Sequence, residues 1–307
     1  MFAPLYPEGG WAWFVRTPED AEHADWTELV SRALGPGADV RADVSRVQHW
    51  VMNAFVAERF RHGRTLLAGD AAHAMPIVGG LGMNAGIADV HNLCWKLAGV
   101  LHGWAGPNLL DTYETERQPV AHQTLEQAVT NTQLMLQVQN RRRDQLHAGE
   151  AAPDRIELPW SDRFFAQLGL VLGVTYHSDA VLTDNSTPYA PPAPPDTGST
   201  DYVPTAKPGH RMPHLWLTHD RSTLDAVGEW FTLLTPDPAH WEQRTTTPWP
   251  LRIETLPDEH IDVCGLRPHG ALLIRPDGHI GACWRDRPPG DFALHRALTA
   301  ITGSASS

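Results

Sequence analysis

The chain has 307 residues, enough for two domains of ordinary size, and its 42% hydrophobic and 20% charged content is typical of a globular protein with a sizeable core. A net charge of −12 disfavours nucleic acid or an anionic membrane as a partner. Three cysteines without paired spacing indicate neither a disulfide scaffold nor a metal site, which fits a reducing cytoplasm. We also expect no membrane helix, since no apolar run approaches roughly 20 residues, and we find no signal peptide.

The first 62 residues predict a short strand, a helix and a long strand. An aromatic-rich run at 11–15 follows a glycine turn and predicts the first strand. Asp25 can cap a helix that ends at Gly35. Residues 45–60 alternate loosely between two sides, which predicts a long strand that is partly buried on both faces. Its first side carries His49, Val51 and Asn53.

The stretch from residue 63 to residue 84 organises the rest of the chain. Residues 65–68 predict a short buried strand, and Asp70 falls at its carboxyl end, where ligands of α/β sheets lie. Glycines then let the backbone approach a ligand closely, namely Gly79, Gly80 and Gly82. A helix is predicted from Asn84, and its N-terminus favours a ligand's partial negative charge. Apolar residues share one face of this helix, namely Ile87, Val90, Cys94, Leu97, Ala98 and Leu101.

Helices are predicted to continue to about residue 147. A break at 103–107 separates the first helix from a short one at 109–117, and Pro119 fits the first turn of a third. Glu114, Glu116 and Arg117 could form a general acid/base group, but ion pairs on a helix surface are the favoured interpretation.

The remainder predicts one more helix, a strand, a linker and a second domain. Ser161 can cap a helix that ends near residue 172, and a strand follows at 176–181. Residues 185–208 are rich in proline and small polar residues, which is typical of a surface linker. The later strands and the final helix are predicted at 215–217, 230–234, 251–253, 271–274, 279–284 and 292–301, with a hairpin turn at 275–278.

Several motifs in a fixed order make the chain recognisable. They are Gly-Asp-Ala-Ala-His at 69–73, Met-Pro at 75–76, Gly-Gly-Leu-Gly-Met-Asn-Ala-Gly-Ile-Ala-Asp at 79–89, Asn-Leu-Cys-Trp-Lys-Leu-Ala at 92–98 and Tyr-Glu-Thr-Glu-Arg-Gln-Pro at 113–119. Together they resemble the single-component aromatic-ring flavoprotein monooxygenases, the family of para-hydroxybenzoate and phenol hydroxylases and their polyketide-hydroxylase relatives. The resemblance covers nearly the whole chain.

The resemblance implies a cofactor, FAD, and a co-substrate, NAD(P)H. It assigns Asp70 to the ribityl and pyrophosphate part of FAD, Pro76 to the reacting side of the flavin, and the Gly82-Met83-Asn84 backbone to the flavin's pyrimidine carbonyl. Alternatively, the glycines form only a tight turn and Asp70 only caps a helix. No catalytic residue can be assigned. His49, Val51 and Asn53 could face an aromatic substrate or be merely exposed on a sheet face.

The implied fold is α/β (α+β). Residues 1–62 would be a remnant of the substrate-binding sheet, and 63–184 the C-terminal part of an FAD-binding domain of the glutathione-reductase-like type. The linker at 185–208 would lead to a thioredoxin-like domain at 209–303, which lacks Cys-x-x-Cys and so predicts no dithiol exchange. Cys264 and Cys283 are expected to pack as small apolar residues.

One family element is missing, the Gly-x-Gly-x-x-Gly turn that holds the ADP half of FAD. The glycines at 35–37 lack the third small residue, and those at 80–82 lie about ten residues beyond the preceding strand. We therefore expect an incomplete FAD-dependent monooxygenase that hydroxylates a phenolic or polyketide-type aromatic. It would act as a homodimer or with a complementing N-terminal half. The alternative is a non-catalytic half, a scaffold or interaction module that does not retain FAD alone.

Overall fold

The computed structural model describes residues 2–35, 42–148, 167–183, 202–242, 248–287 and 292–304. The chain forms two compact units, Met1–Met52 and Asn53–Ser307. The boundaries predicted at residues 62, 184 and 208 stay predictions. Among the helices of the described ranges, none combines the length and the apolar character that a bilayer crossing requires.

The first unit contains a short hairpin and one helix. Strand β1, Phe2–Pro4, pairs antiparallel with β2, Trp11–Trp13, and the rings of Phe2 and Trp13 stack at 5.6 Å. Helix α1, Trp26–Leu34, begins after Asp25, whose carboxylate accepts the Glu28 N–H at 3.0 Å. The predicted strand at 11–15 and the predicted helix after Asp25 are both confirmed, although the strand ends at Trp13.

The long strand predicted at 45–60 is wrong. Residues 42–54 have no regular secondary structure. The only strand within the predicted range of 45–60 is β3, Phe55–Val56. It pairs antiparallel with β6, His73–Ala74. Alternating apolar residues form a strand only where another strand satisfies their backbone groups, and Trp50, Val51 and Met52 remain exposed.

The second unit begins with short strands and a long helix. Strands β4, Arg61–His62, and β5, Thr65–Leu66, form a small hairpin, and a 3₁₀ turn follows at Gly69–Ala71. Helix α2 spans Leu81–Leu101, so it begins three residues before the predicted start at Asn84. The reason is Gly80, whose φ of 66° is left-handed and sets the start one residue later.

Helix α3, Asp111–His147, is continuous over 37 residues. The predicted pair of helices in this range is therefore wrong, and Pro119 lies inside α3 rather than at the start of a new helix. Residues on both sides of it are buried, including Arg117, Val120 and Ala121. Proline has no N–H group, so Pro119 removes one backbone hydrogen bond from the helix. The packing of its neighbours keeps the helix continuous despite this loss.

The described residues between α3 and the C-terminal sheet, 167–183 and 202–230, are mostly irregular. Only the end of the helix predicted at 162–172 is described, as α4, Leu168–Leu172; its start at Ser161 and most of the 185–208 linker lie outside the described residues. The strand predicted at 176–181 is wrong. The chain bridges at Thr175 to His210 and then turns, because the Val181 N–H donates to the Ser178 carbonyl at 3.0 Å.

The C-terminal sheet has four strands in the order β10-β9-β7-β8. They are β7, Phe231–Thr235, β8, Leu251–Thr255, β9, Ala271–Ile274, and β10, Ile280–Trp284. Strands β7 and β8 are parallel, and the other neighbours are antiparallel. Short helices α5, Thr223–Ala226, and α6, Pro238–Glu242, precede and follow β7, and α7, Ala293–Thr302, ends the described chain.

The predicted hairpin between β9 and β10 is confirmed, with Gly278 at a φ of 77°. The strand predicted at 215–217 is wrong, since only Trp216 bridges, to Ser222. One of several apolar clusters in this unit joins α2 to the sheet and α7: Trp95 and Leu109 pack with Phe231, Leu273 and Leu298.

Candidate functional site

The start of α2 is open to solvent. Gly79 and Gly80 have positive φ angles of 104° and 66°, and Gly82, Met83 and Asn84 occupy the first helical turn. The first backbone N–H groups of a helix have no acceptor within it. The side chains of Met83 and Asn84 are exposed, and Asn84 Nδ2 donates to the Gly80 carbonyl at 2.9 Å. These N–H groups can therefore face a ligand.

The 3₁₀ turn that carries Asp70 packs directly against α2. A Cβ atom on Gly86 would lie 3.1 Å from the Cα atom of Gly69, so the close approach of the two backbones depends on the glycine at position 86. The Asp70 side chain is exposed. This approach brings an accessible carboxylate to the first turns of α2.

The loop between Asp70 and α2 is fixed from behind by α3. Pro76 is buried, and Met75 packs 3.9 Å from the position of a Cβ on Gly82. A Cβ on Gly79 would meet Asn131 Nδ2 at 2.8 Å, and the same amide donates to the Val78 carbonyl at 3.4 Å. The structure therefore brings the seven predicted cofactor residues into one neighbourhood. Their roles stay predictions.

A buried carboxylate that the sequence prediction gave no role holds this neighbourhood together. Asp89 accepts the Gly69 N–H at 3.1 Å and Arg117 Nε at 2.8 Å, and His73 Nε2 lies 2.7 Å away. Burial alone would raise the pKa of Asp89, but the contacts with His73 and Arg117 outweigh it and lower this pKa below its usual value. An ionised Asp89 thus ties the turn of Asp70 to α2 and α3.

A second buried cluster joins α2 and α3 to the β9–β10 turn. Glu116 accepts Arg275 Nη1 at 2.6 Å and Lys96 Nζ at 2.7 Å, and Arg275 also pairs with Asp277. Asn92 Nδ2 donates to Glu116 at 2.7 Å and to Asp277 at 3.1 Å. All four charged side chains are buried, so the interpretation of Glu116 and Arg117 as parts of surface ion pairs is wrong.

The two clusters set the ionisation of their members. Burial would raise the pKa of Glu116, but Arg275 and then Lys96 hold it well below its usual range. Burial lowers the pKa of Lys96 to about 8, despite the attraction of Glu116. Glu114 contributes to neither cluster, since it accepts the N–H groups of Phe60 and Arg61 at 2.7 and 3.0 Å.

The buried face of α2 was not identified by its apolar pattern. Four residues of the predicted apolar stripe, Ile87, Val90, Cys94 and Leu101, are exposed, and the other two, Leu97 and Ala98, are half-buried. The opposite side carries the buried Asp89, Asn92 and Lys96, at i, i+3 and i+7. Polar residues at helical spacing within an otherwise apolar helix were the available signal for this face.

The predicted substrate residues His49, Val51 and Asn53 are exposed and lie in the irregular segment before β3. Their contact with a substrate stays a prediction. Of the cysteines, Cys94 is exposed, Cys264 is buried and Cys283 is half-buried, and burial raises the pKa of Cys264 to about 11.

A cavity of about 700 Å³ lies between α2 and the C-terminal sheet. Its lining includes Cys94, Trp95, Trp104, Met212 and Leu224, with Arg211 and Glu229 as charged members. None of the seven predicted cofactor residues lines it.

Two protein families match separate parts of the chain. Residues 12–128 match the family model "FAD binding domain", and residues 205–305 match "Aromatic-ring hydroxylase, C-terminal". A 4-methyl-5-nitrocatechol 5-monooxygenase of Burkholderia sp is 36% identical and is matched over 89% of this chain and 50% of its own length. Aklavinone 12-hydroxylase RdmE of Streptomyces purpurascens is 34% identical, over 93% of this chain and 50% of its own.

Solved structures give the same picture. The flavin-dependent monooxygenase PieE in complex with FAD and substrate has a TM-score of 0.76 at 28% identity, covering 99% of this chain and 59% of that one. Aklavinone-11 hydroxylase with FAD and aklavinone has a TM-score of 0.69 at 31% identity, covering 90% and 50%. The chain spans about half the length of the curated relatives it matches. It therefore combines a segment of the FAD binding domain family with a segment of the aromatic-ring hydroxylase C-terminal family.

Proposed function

We propose that this chain is the C-terminal portion of an FAD-dependent monooxygenase that hydroxylates an aromatic or polyketide-type ring. The observation that carries the proposal is the contact between the backbones of Gly69 and Gly86, which places the turn of the exposed Asp70 beside the second turn of α2. The family matches and the hydroxylase relatives support it, and they do not favour a non-catalytic scaffold.

The residues at this position fit a flavin. The exposed Asp70 carboxylate can accept hydrogen bonds from ribityl hydroxyl groups, and the N–H groups of Gly82 and Met83 can donate to a pyrimidine carbonyl. The Asn84 N–H makes the first bond within the helix, to the Gly80 carbonyl. The dipole of α2 favours negative charge at the same place, without rearrangement during the reaction. A bound FAD would supply the redox chemistry with O₂, after reduction by NAD(P)H. Pro76 would border the ring.

The buried groups position these contacts. Asp89 and Arg117 fix the Gly69 backbone, so the direction of the Asp70 side chain follows from charges that water does not reach. The C-terminal sheet supports a thioredoxin-like assignment, because β7 and β8 are parallel, β9 and β10 are antiparallel, and the order is β8-β7-β9-β10.

The test is flavin binding, measured by quenching of flavin fluorescence with riboflavin and with FAD. The measurement is made on the chain alone and after addition of the complementing segment, which we define as the portion of the Burkholderia relative without counterpart here. Because this chain carries no ADP fingerprint, we expect it to bind riboflavin and FAD with affinities within about threefold, a difference under 1 kcal/mol.

The variant Asp70→Ala removes a charged acceptor worth about 1.5–3 kcal/mol, so riboflavin binding should weaken about 10- to 100-fold. Asp262→Ala, at another exposed aspartate, is the matched control and should leave the affinity unchanged. Equal affinities of the two variants would refute the role of Asp70. The proposal as a whole fails if neither flavin saturates the protein below about 1 mM, with or without the complementing segment.

A further inference from the structure

The cavity of about 700 Å³ between α2 and the C-terminal sheet has no part in the proposed flavin site. Its volume lies within the range of about 300–1,000 Å³ that is typical of sites for small molecules. The wall formed by α2 runs from His91 to His102, just past the end of the helix, which is a rise of about 16 Å. The cavity is therefore long enough for a compound with fused rings.

Two tryptophans give the cavity a rigid aromatic surface. Trp95 and Trp104 both line it, and each ring makes an edge contact with Phe231, at centroid distances of 5.8 and 6.1 Å. Met212 and Leu224 add apolar side chains to the lining. Aromatic side chains bind other flat rings through offset stacking and edge contacts, so this lining favours a planar aromatic ligand.

One cation lines the cavity without a partner. Arg211 is half-buried, and its side chain makes no hydrogen bond or ion pair with any residue of the described ranges. Two acidic residues also line the cavity, but Asp277 already pairs with Arg275, and Glu229 is exposed to water. Withdrawing a charged group from water without a partner is unfavourable, and a carboxylate can bond a guanidinium through two parallel hydrogen bonds. The unpaired guanidinium therefore favours an anionic ligand.

We propose that this cavity binds a planar aromatic acid, whose rings pack against Trp95 and Trp104 and whose carboxylate accepts hydrogen bonds from Arg211. The site is separate from the proposed flavin site, because none of the seven predicted cofactor residues lines the cavity. Along α2, His91 lies about 10 Å beyond Asn84. The inference depends only on the lining of the cavity and does not require flavin to bind.

The first experiment measures affinity by isothermal titration calorimetry of the full chain. It compares 2-naphthoate with 2-naphthamide, which has the same rings but no charge. We expect 2-naphthoate to bind with a dissociation constant below about 1 mM, at least about tenfold more tightly than the amide. Arg211→Met should weaken the binding of 2-naphthoate at least about tenfold. Arg285→Met is the matched control, at an exposed arginine outside the cavity, and should leave the affinity unchanged.

The second experiment uses Cys94 to locate the bound ligand. Cys94 lines the cavity and is exposed, whereas Cys264 is buried and Cys283 is half-buried. At ten times its dissociation constant, 2-naphthoate occupies about nine-tenths of the sites, so alkylation of Cys94 by iodoacetamide should slow about tenfold. Mass spectrometry of the Cys94 peptide measures this rate. The peptide of Cys283, which does not line the cavity, is the internal reference and should react at an unchanged rate.

Four outcomes would overturn the inference. They are no saturation by 2-naphthoate below about 1 mM, equal affinities for the acid and the amide, equal effects of the two arginine variants, and unchanged alkylation of Cys94 at saturation. Circular dichroism shows whether Arg211→Met is folded. If it is not, the acid–amide comparison and the alkylation rate still decide the question on the unaltered chain. Riboflavin binding without 2-naphthoate binding would refute this inference and leave the proposed function in place.

Discussion

The buried carboxylate of Glu116 offers a direct measure of how firmly the helices hold the C-terminal sheet. It accepts hydrogen bonds from both terminal nitrogens of Arg275, at 2.6 and 2.8 Å, and from Lys96 at 2.7 Å. In Glu116→Gln the shape is nearly kept, but two buried cations then face a single carboxylate, Asp277. Breaking a buried ion pair in this way destabilises a protein by about 3–5 kcal/mol. That is a large fraction of the 5–15 kcal/mol that typically separates a folded domain from its unfolded state.

Urea denaturation followed by far-ultraviolet circular dichroism tests this expectation. With a denaturant slope of about 2 kcal/mol per molar urea, the midpoint should fall by about 1.5–2.5 M. Glu126→Gln, at an exposed position of the same helix, is the matched control and should change stability by less than about 0.5 kcal/mol. A shift for Glu116→Gln as small as that of the control would refute the view that the charges of this cluster stabilise the fold.

Three further predictions concern Glu116, Lys96 and the contact between Gly69 and Gly86. Arg275 and Lys96 lower the folded-state pKa of Glu116. The contribution of Glu116 to the free energy of unfolding is therefore complete above its unfolded pKa of about 4.5 and is lost as the pH falls below that value. Acid titration should destabilise the native chain more than it destabilises Glu116→Gln. Lys96 has a folded-state pKa of about 8, below its unfolded value, so the native state releases this proton at a lower pH than the unfolded state does. The free energy of unfolding should therefore rise from pH 8 to about 10.5. Urea titrations across that range should show the rise, and Lys96→Met should abolish it. Gly86→Ala would place a methyl group 3.1 Å from the Gly69 backbone; it should displace the Asp70 turn and weaken riboflavin binding about tenfold by fluorescence quenching, and unchanged affinity would show that the close approach is not needed.

Local signals in the sequence were sufficient where the cause was local. Asp25 at the start of α1 and Gly35 at its end define that helix through their own hydrogen bonds and backbone angles. The turn at 275–278 likewise follows from a glycine with positive φ.

Predictions failed where the decisive contact comes from distant residues. The alternation at 45–60 predicts a strand, but a strand also requires a partner, and only Phe55–Val56 finds one, in β6. Pro119 predicts a helix start, yet the packing of α3 on α2 keeps one helix continuous through it.

The residues of the candidate site also divide into those that a local motif predicts and those that depend on contacts with distant residues. The motifs at 69–84 predict seven cofactor residues that lie close together in the structure, and their role in binding a cofactor stays a prediction. The supporting charges were missed, because the spacing of the apolar residues favoured the opposite face of α2 as the buried one. Asp89 and Lys96 pair with Arg117 and Glu116 of α3. Glu116 in turn pairs with Arg275, which lies 159 residues further along the chain.

The pairing of Arg275 with Glu116 restricts how chains of this kind can be recombined. An engineer who grafts a foreign C-terminal domain onto these helices imports a different hairpin, and with it a different set of charges. Unless the graft keeps an arginine and an aspartate at the tip of that hairpin, Lys96 and Glu116 of the recipient helices lose the charges with which they pair. Chimeras should therefore be cut so that Lys96, Glu116 and the 275–277 turn come from one parent.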